Sequence, residues 1–306
     1  MTVVLFTGGG GAGSEALARL LPYECHFADA DPDARPAGIA PDRWHVISRA
    51  DQPGFFADVS WLCTGVIGAA LIVPGVDEEL TMLAVARDTM WSQPVLLPPS
   101  SFVAAHLDKL ASYELLRDAE IPVPWAEVVR NTMYDRFPCI IKPRRGRGSR
   151  GVAVAEGIED LLDNHDIWCA DYIAQELLVG QEYTVTVAAD AGGKLRAIVP
   201  VLVSLKRGIT IRAHTTHDSA VTEACERIHA AYPVPGCYNV QGIKGADGVF
   251  RPFEINPRVS TTLCLAVAAG VDPIAIYRGN CPGDELLPFR EVSLRRSWHN
   301  EFAEVA

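Results

Sequence analysis

A carboxylate and an amide lie two residues apart in the segment 238–262, where a divalent cation could bind. This segment predicts two strands joined by a glycine-containing turn. Because side chains alternate along a strand, we expect Glu254 and Asn256 on one face of the second strand. Phe253 and Ile255 are expected on the opposite, core-facing side. Hard cations such as Mg2+ prefer carboxylate and carbonyl oxygens, so the first face predicts a metal site.

Two further residues extend this candidate site. Arg258 adds a planar guanidinium that matches a phosphoryl group, and Gln241 on the partner strand adds an amide oxygen. The alternative is a surface strand with ordinary polar residues, and the hairpin alone favours it. A lysine and a glycine-rich loop far upstream favour the metal-phosphate interpretation.

The upstream lysine is Lys142, which closes the apolar strand FPCIIKP. A buried charge is costly unless it meets a counter-charge, which a triphosphate would supply. The loop RRGRGSRG follows, and it is rich in backbone donors that could fold over phosphates and exclude water. A plain hairpin turn is the alternative. The loop residues of interest are Gly146, Gly148, Ser149 and Gly151.

The N-terminal glycines give a competing signal. An apolar strand runs into Gly8, Gly10 and Gly13, which satisfy G-x-G-x-x-G, and Asp29 follows about twenty residues later, as in a dinucleotide-binding fingerprint. The alternative is that backbone amides at a helix N-terminus approach a substrate anion, or that the glycines only make the turn.

A basic cluster precedes a helix predicted from Ser219 to Tyr232. It contains Arg207, Arg212 and His214, together with a lysine and a second histidine. The two histidines have a spacing that could bind a metal on a helix, but the neighbouring Thr and Arg residues indicate a loop or strand end. We interpret the cluster as a substrate-facing patch, with a solvated loop as the alternative.

Composition limits the function classes. The net charge of -11 argues against a general nucleic-acid or membrane-surface binder, since both partners are polyanions. Eight cysteines without a CxxC pair fit reduced thiols in a cytoplasmic protein. The longest apolar run, 59–76, is interrupted by glycines and a proline and predicts a buried strand region. No secretory signal is predicted.

The elements that must position these residues divide the chain near 98–101, a Pro-Pro-Ser-Ser stretch. An α/β domain over 1–100 precedes it. A single helix over about 101–120 follows, and Lys109 lies on it. Further strands are predicted to carry Glu176 and Glu182.

The short motifs NVQ, FEINPR and VS, with the upstream KPRRGRGSRGV and QELLVGQEYTV, resemble motifs of the ATP-grasp fold. The resemblance extends over most of the chain. The similarity is to the branch of carbamoyl phosphate synthetase and related carboxylate-amine ligases. It implies an α/β protein in which a Rossmann-like pre-ATP-grasp domain, 1–100, precedes a two-lobed ATP-grasp domain, 101–306. The small lobe would span about 120–178, and the larger lobe would start at about 179.

The resemblance also implies roles for individual residues. Glu176 would bind the adenine amino group, with backbone contacts near Leu178, and Glu182 would hold the ribose. The implied ATP contacts are Lys109, Lys142, Gly146, Gly148, Ser149, Gly151, Glu176, Leu178 and Glu182. The implied metal ligands are Gln241, Glu254 and Asn256. The implied catalytic residues are Arg258, Lys142 and Asn256, and the expected substrate contacts are Gly10, Arg207, Arg212 and His214.

The implied reaction is ATP-dependent ligation with Mg2+, or with Mn2+ in its place. A carboxylate attacks the γ-phosphate to give an acyl phosphate and ADP, and an amine then displaces phosphate. Both substrates are expected to be small molecules, at least one of them like an amino acid, and the resemblance implies a homodimer. The alternatives are a nucleotide-binding protein without turnover and a nicotinamide-dependent oxidoreductase.

Overall fold

The computed structural model describes residues 1–129, 136–146, 148, 150–162 and 171–297. The described residues form nine α-helices and fourteen β-strands. The helices are α1 (Ser14–Leu20), α2 (Phe55–Trp61), α3 (Asp77–Thr89), α4 (Ser100–His106), α5 (Lys109–Asp118), α6 (Ile158–Leu162), α7 (Ser219–Ala231), α8 (Leu263–Ala268) and α9 (Pro273–Tyr277). The strands are β1 (Val3–Thr7), β2 (Glu24–Asp29), β3 (Trp44–Val46), β4 (Leu71–Val73), β5 (Ala126–Val128), β6 (Cys139–Pro143), β7 (Ala153–Ala155), β8 (Tyr172–Glu176), β9 (Gln181–Ala189), β10 (Leu195–Arg207), β11 (Ile209–Thr215), β12 (Gly236–Lys244), β13 (Phe250–Asn256) and β14 (Ser293–Arg295).

The N-terminal strands form a parallel sheet in the order β3-β2-β1-β4. The chain returns to β4 on the other side of β1, so the carboxyl ends of these two strands lie side by side. Gly75 follows β4 at this edge, where an added Cβ would come within 2.6 Å of the Thr7 carbonyl oxygen. The loop after β1 is thereby packed against the start of α3.

Two antiparallel sheets follow. The smaller has the strand order β5-β8-β6-β7, and the larger has the order β13-β12-β9-β10-β11-β14. Phe250 and Ile255 of β13 pack in one hydrophobic core with residues of α7. Fold class is as predicted: a mixed α/β chain with a parallel N-terminal sheet followed by two antiparallel sheets.

The N-terminal sheet and the large antiparallel sheet share one hydrophobic core. Val4 and Phe27 of the first pack in the same cluster as Ala188, Val199 and Cys237 of the second, with α1, α8 and α9 between them. All five side chains are fully buried. The two parts are therefore held in a fixed relative position by apolar burial.

Two predicted elements are wrong. The single helix over 101–120 is broken into α4 and α5, because the Asp108 side chain accepts hydrogen bonds from the backbone N–H groups of Leu110 and Ala111 and so starts a new helix. The apolar run 59–76 is helical as far as Ile67, and only β4 is a strand. No helix among the described residues is long and apolar enough to cross a membrane.

Gly236 fixes where β12 begins beside the N-terminal part. Its φ is +98°, and an added Cβ would lie 2.7 Å from the Leu97 carbonyl carbon. We expect Gly236→Ala to lower the free energy of unfolding by about 3 kcal/mol, because strain and a backbone clash add. Gly279 has φ +71° but nothing within 4 Å of an added Cβ, so Gly279→Ala should cost about 1 kcal/mol. Equal losses in urea unfolding would contradict this assignment.

Candidate functional site

The β12–β13 hairpin has the predicted turn but an irregular register. Gln241 pairs with Glu254, and the next residue, Gly242, pairs with Pro252, so Phe253 is an extra residue in β13. Such a bulge turns two neighbouring side chains to the same side. Phe253 and Glu254 accordingly line one cavity, and the prediction that Phe253 faces the core is wrong.

The sequence offered a signal for this bulge. Gly242 is a glycine inside a strand, and a Cβ there would come within 2.4 Å of the Phe250 ring. Glycine inside a strand, opposite a proline, often marks a bulge or a close packing contact.

The cavity has a volume of about 260 Å³ and lies between the two antiparallel sheets and the start of α5. Nine residues of the predicted site line it, and they come from four separate stretches of the chain. They are Lys109, Lys142, Gly146, Gly148, Glu176, Leu178, Glu182, Gln241 and Glu254. An apolar part of the wall, which the sequence did not reveal, is formed by Ile140, Val152, Leu177, Ile243 and Phe253.

Lys142 is the buried cation of this cavity, with 5% of its surface exposed. Its Nζ donates to the Phe253 carbonyl oxygen at 3.4 Å and lies 5.5 Å from the Phe253 ring centroid. Burial lowers the Lys142 pKa to about 8, an effect that the Glu254 charge partly offsets and the Lys109 charge increases. An anionic ligand would therefore stabilise the charged form.

Lys109 links the glycine-rich loop to the hairpin. Its Nζ lies 3.2 Å from Glu254 Oε1 and donates to the Gly146 carbonyl oxygen at 2.7 Å. Its backbone N–H donates to the Arg144 carbonyl oxygen, and the Arg144 side chain pairs with Asp108 at 2.6 Å. The N-terminus of α5 thus holds the loop next to Glu254.

A second ion pair lies at the other end of the cavity. Lys206 Nζ contacts Glu182 Oε1 at 2.6 Å, and both side chains are partly exposed. Lys206 is the lysine of the basic cluster that was predicted to face the substrate, whereas the structure places it in this cavity. Glu176 accepts a hydrogen bond from the Trp125 backbone N–H at 3.3 Å.

The hairpin residues fit a Mg2+ site in which the protein supplies only a few of the ligands. Glu254 and Gln241 face each other across the ladder and both line the cavity, and a cationic ammonium already lies beside the carboxylate. No cluster of three or more His, Cys, Asp or Glu that could hold a metal occurs in the described part of the chain. Such a set suits Mg2+, which keeps water and substrate phosphate oxygens as its other ligands.

Three of the residues predicted to bind ATP or Mg2+ or to act in catalysis lie apart from this cavity. Asn256 is buried opposite Asn239, and Gly151 packs near Pro143 and Tyr172. Arg258 Nε contacts Asp77 Oδ1 at 2.6 Å, and its Nη1 donates to the Val259 carbonyl oxygen. Ser149, the remaining predicted ATP contact, lies outside the described residues.

The glycine loop opens onto a second cavity of about 940 Å³. Gly10 and Gly11 form one end of its wall, and Ile211 and Arg295 form the other. A neighbouring cavity of about 400 Å³ shares these last two residues, among others, and is also lined by Arg207 and Arg212. His214 lines neither cavity; it pairs with residues of β10 and β14.

Arg296 holds the walls of this second cavity together. Its side chain donates to the carbonyl oxygens of Thr210 at 2.8 Å, of Thr261 at 2.6 Å, and of Ala12 in the glycine loop. The segment after Gly279 was uninterpreted in the sequence, so both Arg295 and Arg296 were missed. Two adjacent arginines in a mostly polar segment form no local pattern that reveals such contacts.

The glycines of this loop have packing roles. The Gly10 N–H donates to Asp29 Oδ2 at 2.9 Å, and a Cβ on Gly10 would lie 2.7 Å from the Ala34 Cβ. A Cβ on Gly13 would lie 2.9 Å from the Thr261 carbonyl oxygen. The glycine spacing and Asp29 are thus accounted for by close packing.

Comparison with protein-family models matches residues 169–285, a little over a third of the chain, to a family described as "ATP-grasp in the biosynthetic pathway with Ter operon". A search of the curated proteins found no significant match.

Solved structures resemble almost the whole chain at low sequence identity. N5-carboxyaminoimidazole synthetase from Staphylococcus aureus, complexed with ADP, has a TM-score of 0.74 and 14% identity, covering 95% of this chain and 81% of its own. L-amino acid ligase from Bacillus licheniformis has a TM-score of 0.70 and 12% identity, covering 96% and 79%. The biotin carboxylase domain dimer of 2-oxoglutarate carboxylase from Hydrogenobacter thermophilus, with MgADP and bicarbonate, has a TM-score of 0.69 and 15% identity, covering 94% and 72%.

Proposed function

Because this chain has the ATP-grasp fold, we propose that it is an ADP-forming ligase that joins a small carboxylate to an amine. The observation that carries the proposal is the cavity between the antiparallel sheets, where four distant stretches bring together two lysines, a glycine-rich loop and a carboxylate. ATP and Mg2+ fit this arrangement, since solved relatives contain ADP and MgADP.

The nucleotide would lie with its base among the apolar side chains and Glu176, and its ribose near Glu182. Lys142 and Lys109 would neutralise the phosphates, and the loop around Gly146 would exclude water from them. Glu254 and Gln241 would hold Mg2+, which when bound supplies further neutralisation of phosphate charge.

The carboxylate substrate would lie in the second cavity. In this proposal its oxygen attacks the γ-phosphorus, the bond to the ADP oxygen breaks, and the acyl phosphate then reacts with the amine to release phosphate. Phosphoryl transfer is mainly positioning and charge neutralisation. Arg258 could contribute through Nη2, since its Nε and Nη1 are bound to Asp77 and to the Val259 carbonyl.

The test is calorimetric titration with ATP and with NAD, followed by ADP release over a panel of amino acids and amines. We expect ATP with Mg2+ to bind and NAD not to bind, and at least one pair of substrates to stimulate ADP release. Tight NAD binding without ATP binding would contradict the proposal. ATP binding without turnover on any pair would favour a nucleotide-binding protein instead.

The pKa of Lys142 makes a pH dependence testable. Below about pH 8 the ammonium is charged before ATP arrives, so affinity should not vary through Lys142. Above it, binding must take up a proton, and affinity should fall by as much as about tenfold per pH unit. In Lys142→Arg the charge persists, so this decline should be absent up to about pH 10. Parallel pH profiles for the two proteins would argue against a phosphate role for Lys142.

A further inference from the structure

Four arginines line the 400 Å³ cavity, and three of them have neither an ion pair nor a side-chain hydrogen bond in the described part of the chain. They are Arg207 at the end of β10, Arg212 on β11 and Arg295 on β14. All three are exposed. Elsewhere, arginines such as Arg144 and Arg258 are paired with an aspartate.

Two of these arginines lie directly opposite each other. Arg212 pairs with Arg295 in the β11–β14 ladder. Like charges at directly opposed positions of an antiparallel pair destabilise the sheet. The arrangement therefore costs stability in the free protein, and a bound anion would offset that cost.

The Arg212–Arg295 pair lies beside the second cavity, because Arg295 lines both cavities. The two neighbouring cavities share Ile211, Arg295, Arg296 and Ser297, so they adjoin each other.

The wall of the second cavity near the glycine loop contains Arg19, which is paired with Glu15, and Arg35, which donates to the Ile39 carbonyl oxygen. The 400 Å³ cavity, in contrast, contains the three guanidinium groups without a partner among the described residues. Ile209 and Leu294 form an apolar part of the wall of the second cavity.

We propose that the carboxylate substrate carries a second anionic group, a carboxylate or a phosphate, which Arg212 and Arg295 bind together. This inference rests on the proposed function only in assigning the second cavity to the substrate. Guanidinium groups suit both anions, because their planar donors bind two oxygens at once. Arg207 adds positive charge beside the pair, and the reacting end of the substrate extends toward the glycine loop.

The test uses the whole protein with its nucleotide cavity saturated by a non-hydrolysable ATP analogue and Mg2+. Succinate and inorganic phosphate are then titrated separately by calorimetry, so that the two arms distinguish a carboxylate from a phosphate. We expect saturable binding of at least one anion, and a rise in its Kd of about tenfold or more in Arg212→Gln/Arg295→Gln.

The matched control is Arg49→Gln/Arg117→Gln, which removes the same charge from two exposed sites on other elements. Its anion binding should equal that of the wild type. The proposal is overturned if the wild type binds neither anion, or if the two double variants bind alike. Nucleotide binding is measured separately for the wild type and each variant. Nucleotide binding without anion binding would count against this inference alone, whereas loss of nucleotide binding in the wild type would count against the ligase assignment.

Thermal unfolding gives a readout that a purely structural role would not produce. Because Arg295→Gln removes one of the two guanidinium groups proposed to bind the anion, we expect the anion to raise the unfolding midpoint of the wild type more than that of the variant. An equal anion-induced rise in both proteins would overturn the proposal.

Discussion

Glu254→Gln is expected to lower Mg2+-dependent ADP formation by roughly a hundredfold to a thousandfold. The change removes one negative charge from the carboxylate that faces Gln241 and lies 3.2 Å from Lys109. If Glu254 holds Mg2+ as proposed, the ion would lose an anionic protein ligand, and the phosphate charge would be less well compensated during transfer. Steady-state ADP release at several Mg2+ concentrations measures the effect.

The hairpin offers an internal control for this prediction. Since Gln241 and Glu254 are direct cross-strand partners, Gln241→Glu combined with Glu254→Gln moves the carboxylate to the opposite strand without changing net charge. We expect this double variant to recover part of the activity and the Mg2+ dependence. Wild-type turnover by Glu254→Gln alone would show that Glu254 only neutralises Lys109.

Lys142→Met is expected to weaken ATP binding by roughly a hundredfold, about 3 kcal/mol, while leaving thermal stability unchanged or higher. Lys142 is buried, and among the described residues its ammonium has only a long hydrogen bond to a carbonyl oxygen and a contact with the Phe253 ring. Removing such a charge relieves desolvation in the free protein, but it removes the counter-charge for the phosphates.

Lys206→Met is the matched control, because Lys206 lines the same cavity but is exposed and already paired with Glu182. Its loss should reduce ATP affinity by about tenfold or less. Calorimetry and thermal unfolding on both variants separate affinity from stability. Equal losses of affinity in the two variants would indicate a general electrostatic effect and would contradict a specific role for Lys142.

The sequence predicted the fold and most of the proposed nucleotide cavity. The resemblance to the ATP-grasp fold is confirmed by the structural comparisons. The structure brings Lys142, Glu182 and Glu254 into one cavity, and their assigned roles remain predictions. Lys142 and Glu254 were visible because each ends or alternates along an apolar strand, where a charge stands out from its neighbours, whereas Glu182 was assigned by the resemblance to the ATP-grasp fold.

Other parts of the site depend on contacts between distant segments. The bulge at Phe253 adds one residue to β13, so the side chains on either side of it no longer alternate between the two faces. A prediction from strict alternation cannot include such an extra residue. The break before Lys109 comes from a single capping aspartate within an otherwise continuous helical pattern. The bonds from Arg258 to Asp77 and from Arg296 to Ala12 join positions far apart in the chain, so no local pattern indicates them.

The shared core beneath the N-terminal sheet affects how such a protein can change by recombination. Because Val4 and Phe27 pack against Ala188 and Cys237, the inner surface of the large sheet is shaped for this particular N-terminal part. An N-terminal part exchanged for that of a distant relative would bring a different apolar surface, leaving gaps or clashes in the joint core. Changes of specificity are therefore more accessible through point substitutions on the cavity walls than through exchange of whole segments.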